Sequence, residues 1–178
     1  MKDKYIVLIV GKSGSGKSTI CDRLTEQYGL KQVKSYTTRP RRGDGDNSHI
    51  FVNDEKFAKL ENKCAYTIYD NRKYCATTEQ VDNADLYIID VDGVEYFLSH
   101  YSGRKIPMVV YIETSRDVRK ARMIQRGDAE YKVMNRLRYD KTHFDNADEY
   151  AIKTYQNETE EDLDKIVESI YNVFFYEG

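Results

Sequence analysis

The chain has 178 residues, of which 40% are hydrophobic and 33% charged. This length corresponds to about one domain with a sizeable core, and the composition excludes both a disordered chain and a membrane-embedded protein. No apolar run approaches the ~20 residues that a membrane helix needs, and the chain start lacks a signal-peptide core. We therefore expect no membrane partner and a cytoplasmic location.

The charges are unevenly distributed along the chain. The formal net charge is only −2, which argues against nucleic acid as a partner of the whole surface. Residues 30–43, however, contain five Lys or Arg and no carboxylate, as expected for a site that binds a small anion. Cys21, Cys64 and Cys75 form no CxxC pair, so neither a zinc site nor a disulfide framework is predicted.

The first elements read as strand, loop and helix. The apolar run from Tyr5 to Val10 ends at Gly11 and predicts a strand that is buried on both faces. Residues 18–28 place apolar side chains at helical spacing and stop at Gly29. Similar pairs follow at 86–90 with 93–101 and at 107–112 with 115–126. This alternation predicts an α/β fold with a parallel sheet flanked by helices.

The pattern changes between residues 36 and 78. Short extended segments at 50–52, 65–68 and 72–77 surround a short helix near 54–60. We interpret this stretch as an inserted small mixed-β lobe. A closing amphipathic helix is predicted over 158–174.

Residues 11–18 form the most informative motif. They read Gly-Lys-Ser-Gly-Ser-Gly-Lys-Ser, which matches GxxxxGK[ST] in full between a predicted strand and a predicted helix. Backbone N–H groups of such a loop converge on phosphate oxygens, and we expect side chains at its glycines to block that approach. Lys17 is expected to contact the β and γ phosphates, and the Ser18 hydroxyl to be a metal ligand for Mg²⁺.

The alternative for this stretch is a flexible Gly/Ser turn, which the flanking strand and helix disfavour. We therefore predict ATP and Mg²⁺ as cofactors. The predicted cofactor-binding residues are Gly11, Ser13, Gly14, Ser15, Gly16, Lys17, Ser18 and Thr19.

Residues 90–93 read Asp-Val-Asp-Gly and satisfy the DxxG spelling of GTPases. No NKxD motif follows, so a GTPase is disfavoured. Asp90 is expected at the carboxyl end of a buried strand, where Mg²⁺ or its waters need an anion. A helix N-cap is the alternative for this residue.

Residues 35–42 read Ser-Tyr-Thr-Thr-Arg-Pro-Arg-Arg. Arg39 and Arg42 are three positions apart around a proline, so their guanidinium groups could grip one phosphate while Ser35 adds a neutral hydrogen bond. A nucleic-acid patch is the alternative. We disfavour it because no aromatic-rich stacking surface with clustered basic residues is evident and the net charge is negative.

With further motifs at 49–52, 74–77, 88–93, 122–128 and 135–137, the chain resembles the guanylate kinase family of nucleoside monophosphate kinases over nearly its whole length. The resemblance implies a P-loop NTPase fold in a single domain over 1–178. Its parts would be a core (1–34 and 84–178), a monophosphate-binding lobe (about 35–83) and a helical lid (about 126–140). It also implies transfer of the ATP γ-phosphoryl to GMP, with small nucleotides as partners of a monomer or homodimer.

Carried over by position, the resemblance gives each part of the site its residues. The phosphate grip falls on Arg39 and Arg42, and the base-contacting hydroxyls fall on Ser35 and Thr77. The core acid falls on Asp90. The lid arginines Arg126 and Arg136, beside Arg122, join Lys17 as the catalytic groups.

Several positions depart from the family pattern. The family has a tyrosine that helps to bind the monophosphate, and this chain has His49 at that position. A second family tyrosine falls on Cys75, and Tyr74 is a candidate substitute for it. The glutamate that reads guanine falls on Tyr66, or on Ala65 if the register shifts by one. A phenol offers at most one acceptor and an alanine none, and losing such a charge-assisted bond costs ~1.5–3 kcal/mol. We expect phosphate handling to transfer, while guanine selection stays open.

The expected chemistry is in-line phosphoryl transfer. Lys17, Arg126 and Arg136 would surround the γ-phosphoryl while Arg39 and Arg42 hold the acceptor phosphate, across one cleft. No general base is needed, because an acceptor phosphate is already ionised. Two alternatives stay open, a phosphotransferase acting on another small phosphate or hydroxyl compound and a binding module that has lost catalysis.

Overall fold

The computed structural model describes residues 4–41, 43–144 and 147–176, which contain eight strands, seven α-helices and a short 3-10 helix at Ala147–Tyr150. The strands are β1 (Tyr5–Gly11), β2 (Tyr36–Thr37), β3 (Ile50–Phe51), β4 (Lys63–Tyr69), β5 (Arg72–Thr77), β6 (Leu86–Ile88), β7 (Ile106–Glu113) and β8 (Lys153–Gln156). The helices are α1 (Lys17–Tyr28), α2 (Asp54–Ala58), α3 (Thr78–Asp82), α4 (Val91–His100), α5 (Arg116–Gln125), α6 (Glu130–His143) and α7 (Glu160–Phe174).

The central sheet is parallel throughout, with the strand order β6-β1-β7-β8. Its middle strand β1 is buried on both faces. Val7 and Ile9 point into one apolar cluster, and Ile6, Leu8 and Val10 into another. A continuous apolar run is what a strand covered on both sides requires, so the predicted parallel sheet flanked by helices is confirmed.

Helices cover one face of this sheet. Ile20 and Leu24 of α1 pack there with Ile166 and Ile170 of α7, and all four side chains are buried. The helical spacing of these residues places them on one stripe of each helix, which faces the sheet. The opposite face is covered by α4, through Phe97, and by the second sheet.

The second sheet lies within residues 36–77 and has the strand order β3-β2-β5-β4. Strand β2 pairs parallel to β3 and antiparallel to β5, so the sheet is mixed, as predicted. Strands β4 and β5 form a hairpin whose turn residues Asp70 and Asn71 have φ values of 49° and 56°. Two consecutive positive φ values suit the turn that matches strand twist, and Asp and Asn tolerate them well.

Strand β8 and the bounds of helix α6 differ from what the sequence indicated. Strand β8 is only four residues long and carries charged and polar side chains. Helix α6 runs over Glu130–His143, whereas the helical lid was expected at about 126–140. No helix in the described part of the chain has the length and apolarity needed to cross a bilayer.

Candidate active site

The 11–18 loop lies at the carboxyl end of β1, between that strand and α1. Gly14 and Gly16 have φ values of 78° and 94°, a region that residues with a Cβ rarely adopt. Gly16 is also the N-cap of α1 and offers no side chain to its amides. The first N–H groups of this helix are therefore free of a side-chain cap and point toward the loop, as in an anion-binding helix N-terminus.

The glycines are also needed for close packing of the loop against the rest of the protein. A Cβ at Gly11 would lie 2.6 Å from the carbonyl oxygen of Ile112, and one at Gly14 would lie 2.8 Å from that of Arg119. At Gly16 it would overlap the side-chain amide of Asn157. These atoms belong to the protein beneath the loop. The glycines thus let the loop pack against β7, α5 and Asn157, while their expected role in leaving room for phosphate stays a prediction.

Lys17 is folded back over the loop. Its Nζ donates to the carbonyl oxygens of Gly11 at 2.6 Å and Lys12 at 3.0 Å. Removal of the ammonium group from water lowers the pKa of Lys17 to about 8, and the carboxylate of Asp140 partly opposes this change. A phosphate on the loop would supply the counter-charge that the carbonyl oxygens only partly provide.

A cavity of about 570 Å³ opens over the loop, and we name it the donor cavity because the phosphoryl donor is expected there. It brings together the three residues predicted to be catalytic, Lys17, Arg126 and Arg136. Both arginines contact one carboxylate, since Asp128 lies 2.5 Å from Arg126 Nη2 and 2.9 Å from Arg136 Nη1. The cavity is lined by Ser13, Gly14, Gly16, Lys17, Ser18, Thr19, Tyr69, Arg122, Met123, Gln125, Arg126, Arg136, Asn157, Glu160 and Leu163.

A second cavity, of about 250 Å³, also contacts Lys17, and we name it the acceptor cavity because predicted substrate-binding residues line it. Ser13 and Lys17 line both the donor and the acceptor cavity. Three predicted substrate-binding residues line the acceptor cavity, Ser35 just before β2, His49 just before β3 and Tyr74 of β5. Ser35 Oγ is 2.9 Å from His49 Nδ1, and the His49 ring lies 5.5 Å from that of Tyr74.

Asp90 lines the acceptor cavity and also caps a helix. Its carboxylate accepts the N–H of Gly93 at 2.8 Å and the hydroxyl of Thr67 at 3.0 Å. Burial raises the pKa of Asp90, and these two hydrogen bonds oppose that change. The N-cap interpretation of Asp90 is therefore confirmed, and its role as the core acid stays a prediction.

Arg39 lies in a third cavity, of about 600 Å³, between the second sheet and α6. Its Nη2 donates to Asp46 at 2.9 Å and to Ser48 at 3.3 Å, within its own loop. Arg136 lines this cavity and the donor cavity, so it connects the two. Lys17 does not line the third cavity, and Arg42 falls outside the described residues.

The third cavity overturns one sequence argument. We expected no aromatic surface beside the clustered basic residues. The cavity instead carries five cationic and four phenolic side chains: Arg39, Arg41, Arg72, Lys132, Arg136, Tyr69, Tyr74, Tyr131 and Tyr139. This aromatic surface was not predicted because its tyrosines come from β4, β5 and α6, far from residues 35–42 in sequence.

The predicted base-reading residues lie elsewhere. Thr77 is the N-cap of α3, where its hydroxyl accepts the N–H of Gln80, and it lines none of the three cavities. Tyr66 packs between the rings of Phe57 and Tyr96, with centroids 6.3 Å and 5.9 Å away. Ala65 is buried in the apolar core. The β4 side chains that line the acceptor cavity are Thr67 and Tyr69.

Residues far apart in sequence hold the loop from below. Asn157 Nδ2 donates to the Ser15 carbonyl oxygen at 2.8 Å, and Thr114 Oγ1 donates to the same oxygen at 3.3 Å. Asp140 accepts from the N–H of Ser13 at 3.0 Å and from Arg119 Nη1 at 2.8 Å. Nothing in the local sequence marks these residues, since each lies on a different element from the loop.

Comparison with known proteins agrees with this geometry. A family profile described as an AAA domain matches residues 7–164. The guanylate kinase of Helicobacter pylori is 30% identical over 149 residues, covering 76% of this chain and 71% of that one. The chain belongs to the guanylate kinase-like family of P-loop proteins.

A uridine kinase and a solved guanylate kinase structure are also similar to this chain. The uridine kinase of Borrelia hermsii is 27% identical over 136 residues, covering 68% of this chain and 66% of that one. The crystal structure of guanylate kinase from Anaplasma phagocytophilum has a TM-score of 0.61 at 15% identity, covering 99% of this guanylate kinase-like chain and 89% of that one. The structural likeness supports the fold, a parallel P-loop core with a second mixed sheet.

Proposed function

We propose that this protein is a P-loop kinase that transfers the γ-phosphoryl group of ATP to a nucleoside monophosphate, with GMP as the first acceptor to test. One observation carries the proposal. Ser13 and Lys17 line both the donor and the acceptor cavity. A phosphate chain on the loop and a group in the acceptor cavity would therefore meet at the same ammonium group.

The donor half has the groups that a nucleotide with Mg²⁺ needs. Ser18 is exposed and lines the donor cavity, so its hydroxyl is available as a ligand. Mg²⁺ prefers oxygen ligands and takes only one or two from the protein when phosphates supply the rest. When bound, the ion would neutralise phosphate charge beside Lys17.

The arginines of the donor cavity would stabilise the transferred group. Asp128 now holds Arg126 and Arg136 together on its carboxylate. A γ-phosphoryl group is also an anion with several acceptor oxygens, so it can replace Asp128 as their partner. We infer that the lid formed by α6 and the turn before it places these two arginines on the transferring group.

The acceptor half would hold a monophosphate in line. Arg39 already binds a carboxylate, Asp46, through its Nη2, and a phosphate is an anion that can replace this partner. Arg39 lines the third cavity and not the acceptor cavity, and Tyr74 lines both. We infer that Arg39 and Arg42 take up the acceptor phosphate where the two cavities meet at Tyr74, with His49 on the acceptor side. An acceptor phosphate is ionised near neutral pH, so this reaction needs no general base.

The acceptor base stays open within this proposal. Tyr66 packs away from the acceptor cavity and Ala65 has no polar atom, so neither supplies the two acceptor oxygens that a glutamate would offer to guanine. In the acceptor cavity, the Asp90 carboxylate and the Thr67 hydroxyl are the groups that could hydrogen-bond to a base in place of the glutamate. A base read through one carboxylate fits this arrangement.

A hydroxyl acceptor is the second candidate. Two carboxylates, Asp90 and Asp140, line the acceptor cavity. A carboxylate repels an acceptor phosphate, whereas it can take the proton from an attacking hydroxyl. The similarity to a uridine kinase supports the same alternative.

The test is ADP formation from ATP and Mg²⁺ with a panel of nucleoside monophosphates and nucleosides. We expect stimulation by one acceptor, abolished in Lys17→Ala and retained in the matched control Lys31→Ala, which removes an exposed lysine away from the cavities. Equal ATP turnover with every acceptor would overturn the proposal.

A further inference from the structure

An ion pair lies buried behind the phosphate loop. Arg119 Nη1 and Asp140 Oδ2 are 2.8 Å apart, and their side chains are 6% and 3% exposed. Arg119 also donates to the carbonyl oxygens of Thr114 at 3.2 Å and Ser13 at 3.3 Å. Burying two charges is costly unless their remaining hydrogen-bonding capacity is used. Here it is used, and the partners belong to the loop and to the end of β7.

Asp140 joins α6 directly to the loop. Its Oδ2 accepts the N–H of Ser13 at 3.0 Å, and its Oδ1 accepts the Ser13 hydroxyl at 3.2 Å. With Arg119, three donors surround one carboxylate. The other buried residues of this helix, Val133 and Leu137, pack with Met123 of α5 instead. The polar contact at Asp140 therefore fixes α6 to the loop, while the apolar contacts fix it to α5.

The contact between Asp140 and the loop also affects where Arg136 lies. Arg136 precedes it by four residues, so both lie on one face of the helix, about 6 Å apart. Arg136 lines the donor cavity, and Asp140 lines the acceptor cavity. Any rotation of α6 about its axis at Asp140 would move Arg136 relative to the loop.

We propose that Asp140 is a positioning residue, which anchors α6 to the phosphate loop at Ser13 and thereby sets Arg136 over the donor site. This inference rests on the proposed kinase function. Asp140 acts through Arg136 and does not itself need to contact the nucleotide.

The first experiment measures kcat and KM for ATP. Asp140→Ala alone leaves the Arg119 charge buried without its anion and can fail to fold, so the working variant is Asp140→Ala combined with Arg119→Met, which leaves no side-chain acceptor for Ser13. A misplaced group costs up to ~100-fold in rate, and we expect kcat to fall by about 10- to 100-fold, with KM for ATP changed by less than about 3-fold. Asp164→Asn, an exposed carboxylate of α7 that pairs with Arg23, is the matched control and should leave kcat unchanged.

The same pair of changes is then made in an Arg136→Met background. If Asp140 acts through Arg136, removing the arginine removes the effect, so the combined variant should have the kcat of Arg136→Met within about 3-fold. Multiplication of the two losses would overturn the proposal, because it would mean that Asp140 contributes independently of Arg136. An unchanged kcat in the working variant would overturn it as well.

A second measurement separates this inference from the kinase function. Hydrogen exchange of the amides in residues 130–136 is followed without nucleotide, in the wild type and in the working variant. We expect at least about 10-fold faster exchange in the variant, with α7 unchanged, because α6 has lost its anchor. Equal exchange overturns the anchor even if the enzyme is active, whereas faster exchange in a protein without transferase activity supports the anchor and rejects only the proposed function.

Discussion

Alanine at Gly16 tests how the phosphate loop is held. Its φ of 94° is unfavourable for a residue with a Cβ, and that Cβ would overlap the Asn157 side-chain amide. Gly29 separates these two effects, since its φ is 69° and a Cβ there would meet nothing within 4 Å. Gly45 also has open space, and it is not among the glycines with positive φ.

The three sites predict a graded series. Replacing Gly by Ala restricts the unfolded chain and stabilises by about 0.4–1 kcal/mol where the backbone allows it, which we expect at Gly45. A left-handed backbone costs about 1–2 kcal/mol, so Gly29→Ala should destabilise by about 0.5–1 kcal/mol after that offset. At Gly16 the displaced Asn157 also loses its hydrogen bond to the Ser15 carbonyl oxygen. That loss adds about 1–3 kcal/mol, for a total of about 2–4 kcal/mol.

Urea unfolding of the three variants measures the differences in the free energy of unfolding, and thermal unfolding measures the differences in Tm. For a chain of this size, each kcal/mol corresponds to about 2–4 °C in Tm, so Gly16→Ala should melt about 4–16 °C below the wild type. A fluorescent ADP analogue reports the loop separately, and we expect weaker binding only in Gly16→Ala. If Gly16→Ala were no less stable than Gly29→Ala, the contact between the loop and Asn157 would not contribute as the structure indicates.

Three further predictions concern single side chains. Arg136→Met should lower kcat by ~10³ with a smaller change in KM. The control Arg138→Met, at an exposed neighbour, should leave kcat unchanged. Equal kcat in both variants would contradict a role of Arg136 in stabilising the transferred group. Asp90→Ala should lose about 0.5–2 kcal/mol of stability as α4 loses its cap, while Asp90→Asn should keep stability in urea but lose turnover; equal stability of the two would argue against capping. Burial raises the pKa of Cys64 to about 11 and that of Cys75 to about 12, so both stay protonated at pH 8, and iodoacetamide should label them far more slowly in the native than in the unfolded protein. Because these pKa values are raised above the usual 9.0, their contribution to stability is present below pH 9 and is lost as pH rises through 11 and 12, and unfolding midpoints that do not fall over this range would contradict it.

Local sequence predicts those parts of the site that consecutive residues form. The run from Tyr5 to Val10, the loop and the helix after it follow one another in the chain, and each leaves its own periodicity or composition. The cap at Asp90 likewise follows from residue type and spacing. These features fix the fold class and the place of Lys17.

The rest of the site depends on which elements pack together. Asp140, Arg119 and Asn157 hold the loop from three different elements, so no local spacing connects them to it. The direction of a β4 side chain depends on strand register, which turned Tyr66 away from the acceptor cavity and Thr67 toward it. Thr77 was assigned by resemblance, whereas its hydroxyl caps α3.

The most direct test follows the labelled phosphate itself. The protein is incubated with Mg²⁺ and ATP labelled at the γ position, together with each nucleoside monophosphate and each nucleoside in turn, and the labelled product is identified. The account predicts label on one acceptor, as a diphosphate if the acceptor is a nucleotide, and none with Lys17→Ala. Label recovered only as inorganic phosphate, whatever the acceptor, would contradict the claim that the donor and acceptor cavities meet at Lys17 for phosphoryl transfer.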